Sequence, residues 1–537
     1  MCATTIPRSR IAHRDWVTMN KVDTFDSLEE LSIPIPATVR GNIPRWLNGS
    51  LIRVGPGKFD MGNFTLNHLL DGFAHVQNFN IEDGRVTFSS KFIQSEAYKK
   101  ACVHYRPLFT EFGTKAYPDP CKNIFGKLLA NFIPEPTDNT SIGVFSHRDE
   151  VFASSETCFL YKIDPKTLDT KEKVDYLKAV GVNFATSHPL TDPDSGDLYN
   201  LGLSYGSGLK YHILKVPPSD LRSDKDKLNG MKGAKILASI PSSSQTYYSY
   251  YHSFAMTDNY IIFMEQPLYV NGLKLATCYP KGKAFKECME WKGSDENKFI
   301  IVDKATGYRH GVVYQSDEAF FAFHHINAFE SENEIIVDLV AYLDDEILEK
   351  LYLTSLRTEE FKLKNACQIR RYAIPLGDTI EKFPAHKNLI RTPWVTAEAH
   401  KEGKVIVCKP QMFGMDGLDL PTINPLYQGK SYRYSYLTGG YDKGKFENTA
   451  VKMDMATGEY KVWKAGPHNY IGSMNFISIP GAIEEDDGVL LTSVCDVRKD
   501  YPDAMIVLDA KGMTELARAE VVTNINQAHH GVFVPAK

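Results

Sequence analysis

Five times along the chain an apolar strand runs into an acidic turn and a second strand leaves it. The five are FNIEDGRVTF (Asp83, Gly84), YKIDPKTLDT (Asp164), FIIVDKATGYRH (Asp303, Gly307), VKMDMATGEYKV (Asp454, Gly458) and IVLDAKGMTELA (Asp509, Gly512). Asp and Gly supply the positive φ angles that a tight hairpin needs. From Asp83 to Asp164 is 81 residues, from Asp164 to Asp303 is 139, and from Asp303 to Asp454 is 151. These lengths approximate one, two and two multiples of a unit of about 70 to 80 residues, and a chain of 537 residues holds about seven such units. A four-stranded unit repeated seven times predicts a β-propeller with long loops. Ordinary hairpins in a β-sandwich are the competing reading. No WD signature marks the repeat.

The rest of the chain agrees with a mostly β class. Short runs such as YIIFMEQ, KFIIVD, EIIVDLVAYL and MIVLDA are bounded by turn residues. Helical patterns are few, and DDEILEKLYLTSLR (344–357) is the clearest. Residues 1–30 read as an N-terminal extension, and 31–537 as a single propeller domain. Lys and Arg number 61 against 66 Asp and Glu, so there is no basic excess for nucleic acid. The opening MCATTIPRSRIAHRDW has no apolar run, and no window reaches 18 apolar residues. Nine scattered cysteines without a CxxC pair predict a reducing, cytosolic setting.

Sixteen histidines are present, and four sites share one setting at the start of an apolar strand. They are His188 (ATSHPL), His252 (YYHSFAM), His324 or His325 (FAFHHINAFE), and His529 or His530 (QAHHGVF). The steps 188 to 252, 252 to 324 and 324 to 530 are 64, 72 and 206 residues, near one, one and three blade lengths. The innermost strands of a propeller line its axis, so histidines in phase with the blades converge there. Such a set suits Zn, Cu, Fe or Ni. Zinc enzymes more often use three histidines or include a carboxylate or cysteine. Four neutral imidazoles leave a redox-active Fe(II) at +2 overall. The alternative is four separate buried histidines, each satisfied by a backbone carbonyl.

At these residues the chain resembles the carotenoid cleavage oxygenase family, animal type. The likeness runs from roughly Ile33 to Pro535 through NGSLIRVGPGKF, LDGFAHV, TEFGTKAYPDPCKNIF, SSETCFLYKIDPKTLDT, YYHSFAMT, EQPL, FHHINAFE, EEDDGVLL and HHGVF. The resemblance implies a seven-bladed propeller with one Fe(2+) on its axis, held by His188, His252, His324 and His530, with O2 as co-substrate. It implies carboxylates behind the imidazoles, which fix tautomer and orientation. Glu156 matches the first, Asp419 stands one methylene short at the second, and Ser473 replaces the third. Phe59, Phe112, Tyr342 and His529 are the implied substrate-tunnel residues.

The activity implied is insertion of O2 across a carotenoid or apocarotenoid double bond, central by expectation. It gives retinal-type aldehydes, with or without a coupled trans-to-cis isomerisation. A retinoid isomerohydrolase-like activity is the alternative on the same scaffold. A carotenoid- or lipid-binding protein impaired by Asp419 and Ser473 is a third reading. A water-insoluble substrate calls for monotopic contact with a membrane, so the expected protein is cytoplasmic and peripherally membrane-associated. The stretch 104–136 carries the candidate element. In PDPCKNIFGKLLANFIPEP the residues Ile124, Phe125, Leu128, Leu129, Phe132 and Ile133 form an apolar face flanked by Lys122 and Lys127, and Cys121 is a site for palmitoylation.

Overall fold

Apolar stretches of a few residues, cut by turn residues, pair here as antiparallel strands. The computed structural model describes residues 25–536 apart from 122–135, 207, 219–230, 232, 279, 359–362, 440–447 and 499–500. Seven large sheets follow one another along the described chain and form the blades of a propeller. From the axis outward, blade 1 is His530–Pro535, Gly49–Lys58, Phe73–Glu82, Arg85–Phe92 and Leu31–Pro36. Blade 2 is Gly143–His147, Glu150–Ser154, Phe159–Ile163 and Thr170–Asp175. Blade 3 starts with the short Phe184–Ala185 and Leu190–Thr191 and continues through Leu198–Ser204, Lys210–Val216 and Lys235–Pro241. Blade 4 is Ala255–Met256, Tyr260–Glu265, Lys298–Asp303 and Val313–Ser316, extended by Val405–Lys409 and Glu398–Glu402. Blade 5 is His325–Ser331, Glu334–Ala341, Gln368–Pro375 and Gln411–Met412, and blade 6 is Leu418–Thr422, Tyr434–Gly439, Thr449–Asp454 and Tyr460–Lys464. Blade 7 starts with Asn469–Ile471 and Asn475–Ser478, continues through Gly488–Asp496, Asp503–Asp509 and Thr514–Val521, and ends on Thr38–Gly41.

The five acidic turns all fall at one place, the hairpin between third and fourth strands of blades 1, 2, 4, 6 and 7. Their chemistry differs from turn to turn. Asp83 (φ 49°) and Gly84 (φ 75°) both take the left-handed conformation, as a two-residue hairpin requires. In blades 4 and 6 only the glycine does so (Gly307 φ 73°, Gly458 φ 76°). There Asp303 and Asp454 instead accept the N–H groups of Thr306 and Thr457. In blades 2 and 7 the left-handed residues are Leu168 (φ 59°) and Met513 (φ 57°), so Gly512 does not have the expected role. Blades 3 and 5 lack the turn. Blade 3 has residues 217–234 between its third and fourth strands, and blade 5 has the hairpin that it lends to the edge of blade 4. These two interruptions account for the doubled intervals of 139 and 151 residues.

Apolar clusters fill the gaps between neighbouring blades. Ile262, Phe299 and Ile301 pack on Ile335, Val337 and Tyr372 between blades 4 and 5. Leu51, Phe79 and Phe88 pack on Leu491, Met505 and Val507 between blades 1 and 7. Full burial of each such side chain stabilises by about 1.5–3 kcal/mol. The two ends of the chain interlock at this seam: Thr38–Gly41 pairs with Thr514–Val521, and His530–Pro535 pairs with Gly49–Lys58. Of the stretch 1–30, residues 25–30 are described, and two of them pack inward. Phe25 and Leu28 are buried, and Leu28 N–H donates to the Gly57 carbonyl. The helical pattern at 344–357 becomes two short helices, Glu346–Lys350 and Leu353–Thr358. Among the described residues no helix is long and apolar enough to cross a membrane.

Candidate metal centre

Each of the four histidines sits at or beside an inner strand. His188 lies between the two short inner strands of blade 3, its N–H held by Thr186 Oγ1 at 2.8 Å. His252 precedes the inner strand of blade 4, His324 precedes that of blade 5, and His530 opens that of blade 1, opposite Val54. Donor nitrogens of the four lie within 4.8 Å of one another. The Nε2 atoms of His188 and His252 are 2.9 Å apart. Ring centroids stand 4.4 Å apart for His188 and His530, and 4.9 Å for His252 and His324. Both doublets resolve: His325 turns away to hydrogen-bond Ser253, and His529 lies beside the cluster without joining it.

Behind the imidazoles stand carboxylates. Glu156, in the turn between the second and third strands of blade 2, takes His252 Nδ1 at 2.5 Å and the Tyr250 hydroxyl at 2.7 Å. Asp419, on the inner strand of blade 6, takes His324 Nδ1 at 2.8 Å on one oxygen and the Tyr342 hydroxyl at 2.6 Å on the other. Ser473 lies between the first two short strands of blade 7. All seven blades therefore send one of these residues to the axis. Ser473 presents its backbone: its carbonyl accepts from buried Arg53 at 2.8 Å, and the same guanidinium holds the Ala528 carbonyl, two residues before His530. Among the described residues no hydrogen bond joins the Ser473 hydroxyl to His530.

Electrostatics fit a cation. Burial first, then the neighbouring imidazoles, push His188, His252 and His530 well below the usual histidine range, so they are neutral. A carboxylate on Nδ1 puts the proton there and leaves the Nε2 lone pair facing inward. His324 Nε2 is buried and unpartnered among the described residues. Lone pairs crowded together in this way repel unless a positive ion lies between them. Burial drives the Glu156 carboxyl up to about 8, against the Tyr250 hydrogen bond. Burial also favours neutral Asp419, but the electrostatic pull of the His324 ring, with hydrogen bonds from His324, Tyr342 and Leu420 N–H, outweighs it and lowers that carboxyl. A cation among the imidazoles favours the ionised form of both. The four histidines fit a metal ion.

Two adjoining cavities share Leu70, Ser141 and Ile142, and the inner one reaches this cluster. The inner one is lined by His252, His324, His529, His530, Tyr342 and Asp419. The outer one encloses about 1130 Å³, part of it open to solvent, between Phe112, Phe184, Phe285, Tyr248, Tyr250 and Tyr251. Phe112 lines the outer cavity, and Tyr342 and His529 line the inner one. Phe59 lines neither: it is buried in the core against Pro56 and Gly72, with the Arg357 guanidinium over its ring. Tyr248, Tyr250 and Tyr251 were not singled out from sequence, although the run YYSYYH sets them within four residues of His252. Cys121 is exposed with a free thiol. Ile124, Phe125, Leu128, Leu129, Phe132 and Ile133 lie outside the described residues.

Comparison with known proteins places this geometry. The β,β-carotene 15,15'-dioxygenase of Rattus norvegicus is 38% identical over 518 residues, covering 94% of this chain and 89% of the rat protein. The mitochondrial carotenoid-cleaving dioxygenase of Mustela putorius furo is 38% identical over 524 residues, covering 95% of each. Among solved structures, an apocarotenoid oxygenase variant from Synechocystis superposes with a TM-score of 0.76 at 21% identity, covering 98% of this chain and 100% of its own. A cobalt-substituted form of that enzyme gives 0.75 at 22%, covering 97% of this chain and 99% of its own. At such identities these two report the fold. The family model described as retinal pigment epithelial membrane protein matches residues 24–535, and the chain belongs to that family, the carotenoid oxygenases.

Proposed function

We propose that the chain is a non-haem iron dioxygenase that cleaves a carotenoid or apocarotenoid, at its central double bond, with O2 to give two aldehydes. One observation carries this: four imidazoles from blades 1, 3, 4 and 5 meet at the inner end of an aromatic cavity. The names of the rat and ferret relatives, alike over more than nine-tenths of this chain, support the substrate class.

Fe(2+), when bound, supplies the electrons that activate O2. His188, His252, His324 and His530 hold it without adding charge. Glu156 and Asp419 keep the imidazoles of His252 and His324 turned inward. Phe112, Phe184 and Phe285 exclude water and hold the polyene extended along the outer cavity. Tyr250 and Tyr342, tied by their hydroxyls to the two carboxylates, place fixed aromatic rings beside the bond to be cleaved. Such rings stabilise positive charge that develops on a polyene. We extend the proposal to monotopic membrane contact through 104–136, at whose start Val103 and Tyr105 are exposed.

Metal analysis of the purified protein, with anaerobic then aerobic incubation with β-carotene and zeaxanthin under ¹⁸O2, tests the reading. The expected result is about one iron per chain and aldehydes carrying the label. Iron-loaded protein that cleaves neither polyene overturns it. The same preparation should float with anionic lipid vesicles, and protein that stays at the bottom of the gradient removes the membrane contact.

A further inference from the structure

We propose that His104, Asp119 and Cys121 form a second metal site, which takes one zinc-class divalent cation through imidazole nitrogen, carboxylate oxygen and thiolate sulfur. One donor atom from each lies within 4.8 Å of the other two. None of the three lines either cavity, so the site is separate from the axis.

Each residue is brought there by its local structure. His104 is the last residue of the helix Glu96–His104, and Tyr105 (φ 55°) turns the chain away from it. The carbonyl end of a helix favours positive charge. Asp119 is only 7% exposed, and the cation paired with it, Lys100, stands off at 3.7 Å over the ring of Phe109. That is too long for a direct hydrogen bond, so a buried carboxylate has only a loose counter-charge. The Cys121 N–H donates to Asp119 Oδ1 at 2.8 Å, which fixes that carboxylate beside the Cys121 backbone. Cys121 itself is exposed, so a metal has access.

The donor set selects the ion. Calcium and magnesium want oxygen alone. A thiolate with an imidazole and a carboxylate suits zinc, and three protein donors leave a fourth position for water. Binding replaces the thiol proton, so uptake weakens as pH falls. The bound ion would pin the end of the helix to the turn 119–121, where segment 122–135 begins. A thiol so occupied is closed to acylation.

The test uses the iron-loaded full chain, titrated with Co(2+). The axial centre has no sulfur donor, so a thiolate-to-cobalt charge-transfer band reports the second site alone. One equivalent should develop the band, Zn(2+) should displace it, Cys121→Ser should abolish it, and His104→Ala should weaken cobalt binding at least tenfold. No such band, or a band that survives Cys121→Ser, overturns the proposal.

Discussion

Asp419 shows how one methylene is made up. A register shift between Asp419 and Thr422, with Leu420 at φ 50°, bulges the inner strand of blade 6, and the short side chain still meets His324 at 2.8 Å. Ser473 has no such compensation, because its hydroxyl makes no bond to His530 while Arg53 holds its carbonyl. Adding a carboxylate there should therefore strengthen the centre. Ser473→Glu is expected to raise iron affinity roughly tenfold in a chelator competition; unchanged affinity would mean that His530 is already oriented from elsewhere. The four histidine positions were legible because their spacing follows the blades, while the choice within each doublet came through the family likeness. The carboxylates came only through the family likeness, since no periodicity ties a turn in blade 2 to a strand in blade 6. Phe59 was misread because an aromatic beside a glycine-rich strand has the same local sequence whether it faces a cavity or the core.

At the scale of the element, the acidic turns gave the architecture and hid part of it. They mark one hairpin in five blades, and long insertions erase it in the other two, so the blade count rested on multiples of an interval. Two histidines outside the centre set how these elements respond to acid. His68 caps the 3-10 turn Leu69–Asp71: its Nδ1 accepts Leu70 N–H at 3.1 Å, and its Nε2 donates to the Leu348 carbonyl at 2.9 Å. His75 is buried in the strand Phe73–Glu82. Burial pushes both down to about 3. They stay neutral in the folded chain, while the unfolded chain takes up protons below about 6.5. Their contribution is thus complete above that pH and is lost as pH falls toward 3, by about 2 kcal/mol each between pH 7 and 5. The urea midpoint should drop over that interval, and drop less in His68→Gln; equal slopes for the two proteins would contradict the assignment.

For the whole molecule the decisive pairing is His530–Pro535 on Gly49–Lys58, because one strand both closes the ring and carries His530 of the proposed centre. Truncation after Gln527 is expected to abolish iron uptake and to lower the melting temperature. His530→Ala should keep the closing strand and lose only the stabilisation by added Fe(2+), which for a full-length site is about 2.7 kcal/mol at a hundredfold excess over Kd. A truncated chain that still melts higher with iron would separate closure from the centre.

That pairing also sets an order of events in the life of the chain. During synthesis, blades 2 to 7 can fold as they emerge, and with them the strands that bear His188, His252 and His324. Blade 1 waits with its innermost place vacant until a strand made more than 470 residues later arrives. On the proposed function, iron delivery belongs to the last stage of maturation, and a chain stalled before residue 530 would leave the ribosome as an open ring with three imidazoles exposed to whatever metal the cell offers first.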